Sequence, residues 1–431
     1  MIRASWGAAI DRAAPLRLRG RVTRLSGLAI EVAMAGVSQG ELVEIGGGRP
    51  LLAEVVGLRE RRAVLLPLGE VAGVRLGAEV APRGRPLEIG VGEGLLGRVL
   101  DGLGRPADGR PPPAGLAPWP VDRPPPPPLE RRRVAAPLAL GVRALDGLLT
   151  AGRGQRLGLF AGAGVGKSTL LGQIARRAEA DLTVVCLVGE RGREVREFLE
   201  DALGPAGLAR SVVVAATGDA PALVRLRAPQ VATAIAEWFA DAGREVLLLV
   251  DSITRFARAQ REVGLAAGEP PARQGYPPSV FQALPRLLER AGNRRRGGIT
   301  AIYTVLVAGG DLDEPIADEV RGTLDGHVVL DRRLAERGHF PAIDVLASVS
   351  RVMPLVTTPA HREAAGRLRA LLAAVERQRE LISLGAYQAG SDPEADAGLA
   401  RWGAIEAFLR QGDEPAGPLE GTCARLREIL G

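Results

Sequence analysis

The segment Ala161-Gly162-Ala163-Gly164-Val165-Gly166-Lys167-Ser168 constrains this chain more than any other stretch. The apolar run Leu157-Gly158-Leu159-Phe160 before it reads as a buried strand, and Ser168–Glu179 after it as a helix. A glycine-rich loop between strand and helix lets backbone N–H groups close around a phosphate, while the helix N-terminus adds its dipole. Lys167 would reach the β- and γ-phosphates, and the Ser168 hydroxyl would ligate Mg²⁺. Gly162, Ala163, Gly164, Val165, Gly166 and Thr169 complete the candidate nucleotide contacts. Ala161 stands where the usual pattern has its first glycine. Of 56 basic residues, 55 are arginine, and Lys167 is the only lysine. A position that keeps lysine in such a chain needs a compact ammonium on a flexible stem.

Two carboxylates fall in the same strand–helix alternation. Glu245–Val250 is an apolar strand ending in Asp251, 84 residues beyond Lys167, a place suited to holding Mg²⁺ through its water shell. Glu190 directly follows the apolar run Leu182–Val188. Parallel strands gather their C-termini on one edge, so Glu190 could face the same nucleotide and polarise an attacking water. The residues alone leave it equally a solvated carboxylate at a helix start among arginines.

The strands from about residue 135 are nearly continuous apolar runs, which implies a parallel sheet covered on both faces. Further helices are expected over Glu194–Leu203 and Ala222–Ala240, with strands over Ser211–Ala215, Ile299–Val307 and Gly326–Leu330. Residues 16–85 read differently, as short alternating strands about ten residues apart, which argues for a small β-barrel or sandwich. Two proline runs, Pro111–Pro113 and Pro124–Pro128, predict a stiff linker within 103–133. Beyond about 358 only helical periodicity remains. The expected division is a barrel at 1–88, an α/β nucleotide-binding core at 89–358 and a helical domain at 359–431.

Composition narrows the function classes. At 431 residues and 46% hydrophobic the chain holds about two to four domains with a large core. No apolar stretch reaches the ~18 residues of a membrane span, and the start, MIRASWGAAIDRAAPLRLRG, lacks the apolar core of a signal peptide. Cys186 and Cys423, like His327, His339 and His361, are too scattered for a disulfide framework or a zinc site. A soluble protein of a reducing compartment is expected. The net charge of +6 is compatible with nucleic acid, but aromatics are 3% of the chain and residues 16–85 contain none. Base-stacking platforms need such rings, so no nucleic-acid partner is expected.

The stretches GLFAGAGVGKSTLL, VGERGREVREFLEDALG, LLLVDSITRFARAQREVGLAAGEPPARQGYPPSVF and GHFPAIDVLASVSRVM resemble the type III export ATPases, relatives of the catalytic subunit of rotary ATP synthases. The likeness continues through LLGRVLDGLGRPADG, GVRALDGLLTAGRGQR and LISLGAYQAGSDPEAD. It implies a barrel, a RecA-like ATPase core, a helical C-terminal domain and a homohexameric ring using ATP and Mg²⁺. Glu190 then looks like the catalytic glutamate. Arg351 resembles the arginine such rings place against a neighbour's γ-phosphate, and the residues alone would instead pair it with Asp344. Phe340 stands where relatives usually carry a tyrosine against the adenine. Arg255 is similar to an arginine near the catalytic centre, and Gly275–Leu284 to the segment lining the pore. Implied partners are stator and central-stalk proteins, the export gate and chaperone–substrate complexes. The ATPase would be cytoplasmic and would meet the inner membrane only peripherally, through them.

Within that family EVGLAAGEPPARQGYPPSVF and DVLASVSRVM look closer to the virulence-type secretion branch than to the flagellar branch. The GREVREF and GEPPARQGYPP segments speak against a rotary synthase catalytic subunit. The aromatic-free first domain speaks against a ring-shaped RNA translocase.

Overall fold

The computed structural model describes residues 18–431 apart from Arg61. The expectation of no leader at the very start, and the first residues of the expected barrel domain, lie outside the described residues. Six strands, Gly20–Ser26, Ala29–Ala33, Leu42–Ile45, Leu51–Arg59, Arg62–Pro67 and Glu79–Pro82, close into a barrel. Val22, Ile30, Val32, Val43, Val55, Leu65 and Val80 fill the barrel core and are buried, while the outward Leu42 and Leu66 are buried as well, in the core of the central domain. The barrel is fastened to the next domain by Arg227, whose Nε donates to Glu54 Oε2 at 2.9 Å. Both side chains are largely buried, so removing either would strand a charge at a cost of about 3–5 kcal/mol.

The central domain is built on a nine-stranded sheet, eight strands along one path and the short Gly292–Asn293 antiparallel to Gly298–Leu306 off it. Its path runs Ile343–Ser350, Gly326–Leu330, Arg156–Ala161, Gly298–Leu306, Glu245–Asp251, Leu182–Val188, Ser211–Ala216 and Arg98–Asp101. All neighbours on this path are parallel except Ile343–Ser350, which runs antiparallel to Gly326–Leu330. Leu182–Val188 is buried at every position, as a strand covered on both faces must be. The expected helix after it is divided. Gly192–Glu197 is α-helical, Phe198–Leu203 forms a π-helical turn, and a further helix covers Gly204–Ala209.

The proline-rich stretch is not the stiff linker expected from its composition. Ala117–Pro120 pairs antiparallel with Glu88–Val91. Arg131 Nη1 donates to Ala291 O at 2.8 Å, and Arg132 Nε to Arg294 O at 2.8 Å. Buried Arg290, held by Glu237 at 2.9 and 3.0 Å, donates to Val121 O at 2.9 Å. Proline only removes donors; these arginines supply them, and the stretch becomes a strap across the ATPase core.

Helices Pro359–Arg377, Pro393–Ala400, Trp402–Leu409 and Leu419–Leu430 form the C-terminal domain. Leu368, Leu371, Ile405, Phe408 and Leu426 share one apolar core with the short helix Arg143–Leu148, just ahead of the phosphate-loop strand. Among the described residues no helix is long and apolar enough to cross a membrane.

Candidate active site

The loop leaves the strand at Ala161 and enters the helix Lys167–Arg177. Gly164 and Gly166 take φ of +76° and +85°, a region costly for other residues, and so turn the backbone back on itself. Val165 is buried beneath, anchoring the loop, while Gly162, Ala163 and Gly164 lie at its open surface. Lys167, Ser168 and Thr169 form the first turn, where helix N–H groups lack internal partners.

Neighbouring strand ends bring the other groups in. Lys167 Nζ bonds Asp251 Oδ1 and lies 3.8 Å from Glu190 Oε1. Asp251, 3% exposed, also accepts from Thr304 Oγ1 at 2.7 Å. Arg255 Nη2 stands 3.5 Å from Glu190 Oε2, and its Nε is buried without a partner among the described residues. Gly189, ahead of Glu190, has φ +67°, and a Cβ there would meet Arg255 Cδ at 2.6 Å. Burial pushes the Glu190 carboxyl up to about 7. A hydrogen bond with Glu194 and the charge of Asp251 push the same way, against Lys167 and Arg255. Glu194 is held down, first by that same hydrogen bond.

Phe340 joins this cluster from the far side. Its ring is 45% exposed, with Cδ1 3.3 Å from where a Gly166 Cβ would stand. Arg351 does not join it. Ser350 pairs with Gly326 at the start of its strand, whereas Ala161 pairs with Leu330 at the end. Four strand residues, roughly 13 Å at ~3.3 Å each, therefore separate the level of Arg351 from that of the phosphate loop. Nor does Arg351 pair with Asp344, whose Oδ1 accepts from Leu346 N and Ala347 N at 2.9 Å.

Three contributors carry no motif. Thr304 orients Asp251, Thr254 Oγ1 accepts from Leu306 N at 2.9 Å, and Glu194 shares a hydrogen bond with Glu190. The first could be found in the sequence as a lone hydroxyl within the apolar strand Gly298–Leu306. Glu194 sits one helical turn beyond Glu190, and nothing in the sequence marks which acid in that arginine-rich turn faces inward.

Residues 141–350 match the ATP synthase alpha/beta family, nucleotide-binding domain, and residues 22–84 that family's beta-barrel domain. Residues 357–428 match the T3SS EscN ATPase C-terminal domain. The Flagellum-specific ATP synthase of Bacillus subtilis is 52% identical over 96% of this chain and 95% of its own length. The Type 3 secretion system ATPase of Xanthomonas euvesicatoria is 51% identical over 96% and 94%. Among solved structures, assembled EscN of enteropathogenic E. coli, in complex with its central stalk EscO, matches with a TM-score of 0.89. It is 46% identical and covers 96% of this chain and 100% of that one.

Proposed function

Because the chain belongs to the ATP synthase alpha/beta family, among its flagellar and type III secretion ATPases, and is an ATP hydrolase, we propose how its residues divide the work of powering protein export. The loop Gly162–Thr169 cradles the phosphates, and the Lys167 ammonium neutralises charge on the β- and γ-oxygens. Glu190 accepts a proton from the water whose oxygen attacks the γ-phosphorus, while the bond from that phosphorus to the β–γ bridging oxygen breaks and ADP leaves inorganic phosphate behind. A carboxyl lifted towards neutrality is suited to that transfer. Ser168 and Asp251 offer a hydroxyl and a buried carboxylate, the hard oxygen donors that suit Mg²⁺, and would hold it. When bound, Mg²⁺ would offset negative charge on the phosphates. The Phe340 ring, exposed beside Gly166, takes the adenine.

The observation that carries this reading is the convergence of Lys167, Glu190, Asp251 and Arg255 on the loop while Arg351 lies at the opposite level of the sheet. An arginine so placed serves a neighbouring subunit, and the site is then complete only in a ring. The assembled state of EscN and its central stalk EscO support a homohexamer with a stalk partner here. In that ring, hydrolysis drives chaperone release, unfolding and export of proteins, with peripheral attachment to the inner membrane through partner proteins. The virulence-type branch remains our reading from the sequence. The flagellar branch is the second reading, favoured by the 52% identity to the Bacillus subtilis protein.

Arg351→Ala should assemble and lose about 10³–10⁵ in rate. Wild-type activity should rise faster than linearly with protein concentration. Mixing Arg351→Ala with inactive Lys167→Ala should restore part of the activity, because an intact loop can then face an intact arginine. Mixed rings with no recovery at any ratio would rule the trans role out.

A further inference from the structure

The segment Arg410–Glu414, between the last two helices of the C-terminal domain, is bonded to the phosphate-loop helix, to the stretch Gly141–Arg143 and to Phe340. Gln173, on the phosphate-loop helix, donates to Gly412 O at 3.0 Å. Arg176 and Arg177 of the same helix pair with Asp413 at 2.5 and 3.2 Å. Arg143 is 6% exposed and its Nε donates to Phe408 O at 3.0 Å, completing a carbonyl that the helix Trp402–Leu409 leaves open at its end.

Gln411 is the centre of this clamp. Its side chain is 4% exposed and fully satisfied: Oε1 accepts from Arg143 N at 2.8 Å, and Nε2 donates to Gly141 O at 3.0 Å and Glu414 O at 3.1 Å. Its backbone N donates to Phe340 O at 2.9 Å. Gly141 is pressed so closely on the phosphate-loop helix that a Cβ would meet Arg177 Cβ at 2.4 Å. The buried side-chain amide thus fixes the Gln411 backbone against Gly141 and Arg143, and from that fixed backbone the N–H holds the loop that carries the exposed Phe340 ring.

We propose that Gln411 is a positioning residue for base recognition: it hangs the Phe340 loop from the C-terminal helical domain at a fixed height over the phosphate loop. The proposal rests on the reading of Phe340 as the adenine-stacking ring. A half-exposed ring has few packing neighbours of its own to fix it, so its place depends on where its backbone is held. Gln411, being buried, then takes part in nucleotide affinity without touching nucleotide, and whatever tilts the C-terminal domain changes the base site. Linkage requires the reverse as well, so nucleotide binding biases the domain.

The test is a double-mutant cycle on the full chain with Gln411→Met, which keeps length and apolar bulk and removes the three amide hydrogen bonds. The Michaelis constant for ATP should rise about 3–10-fold, a part of what loss of the ring would cost, with kcat little changed. Inhibition by inorganic tripolyphosphate, which carries no base, should stay at the wild-type level. In a Phe340→Ala background, Gln411→Met should add nothing further, because the ring it positions is gone. Should Gln411→Met fail to fold, Gln411→Glu takes its place in the cycle. It keeps the acceptor for Arg143 N and loses both donors. Additive effects of Gln411 and Phe340, or equal weakening of ATP and tripolyphosphate, would overturn the proposal and leave the stacking reading intact. An unchanged Michaelis constant in Phe340→Ala alone would overturn both.

Discussion

The phosphate half and the base half of the nucleotide site are built on opposite principles. In the phosphate half the charged side chains of Lys167, Glu190 and Asp251 are largely buried, and its groups gather at the C-terminal edge of the parallel sheet: Lys167 and Ser168 after Arg156–Ala161, Glu190 after Leu182–Val188, Asp251 at the end of Glu245–Asp251. Its charges are interlocked, since Lys167, Asp251, Glu190 and Arg255 lie within one chain of contacts. The base half is a single half-exposed ring on a loop, held through its backbone by a residue 71 positions further along the chain. Transition-state charge demands preorganised, desolvated groups, whereas a base needs only a flat apolar face. Substitutions in the first half should therefore strike kcat, and in the second the Michaelis constant.

The largest effect expected within one subunit comes from Glu190→Gln. Nucleotide binding should persist while turnover falls by about 10²–10⁴, the usual range for a general base. A fluorescent ATP-analogue titration beside a steady-state assay reads both. Equal losses of binding and rate would make Glu190 a prop for the loop and blur the comparison.

Lys167→Arg comes next. The ammonium bonds Asp251 directly from the first turn of the loop helix, and a planar guanidinium is too large for that place. Phosphate release should drop below about a tenth of wild type, though the chain uses arginine for every other cation. Activity above that level would mean that the lone lysine has no special fit.

In the base half, Phe340→Ala should raise the Michaelis constant by about 5–150-fold, the equivalent of roughly 1–3 kcal/mol of stacking. Phe340→Tyr should be nearly neutral, because stacking uses the ring face and not its edge. A large fall in kcat with Phe340→Ala would break the division between the halves.

The same contrast explains what could be read from the sequence. The phosphate loop and its strand are contiguous, so residue spacing alone exposes them, and apolar runs of full-length burial expose the parallel sheet. The barrel was legible because Ile30 and Val32 alternate with Glu31 across inward and outward faces, although Leu28, read as part of that alternation, falls in the turn before the strand and is exposed. From its residues alone Glu190 stood open between two readings; the family resemblance chose the catalytic one, and the sheet brings it within 3.8 Å of Lys167. The proline-rich strap was misread because composition reports stiffness, while docking depends on arginines 131, 132 and 290, whose carbonyl partners lie elsewhere in the chain. Gln411 is illegible for the same reason: its partners at 141, 143 and 340 share no spacing with it.

The smallest effect sharpens the phosphate half from within. Glu190 is lifted to about 7 by burial, by its hydrogen bond with Glu194 and by Asp251. A base must be ionised to accept a proton, so activity should rise with pH through that value and fall away below it. In Glu194→Ala the partner that favours a protonated Glu190 is gone, whereas Lys167 and Arg255 still favour the carboxylate. The acidic limb of kcat/KM should then move to lower pH, with the plateau rate little altered. Because Glu194 also accepts from Arg191 N at 3.3 Å, the helix start at Gly192 loses a cap worth about 1 kcal/mol, which a thermal melt would register separately. A limb that stays in place while stability drops would assign Glu194 to capping alone. A limb that moves would show that the two glutamates titrate as a pair.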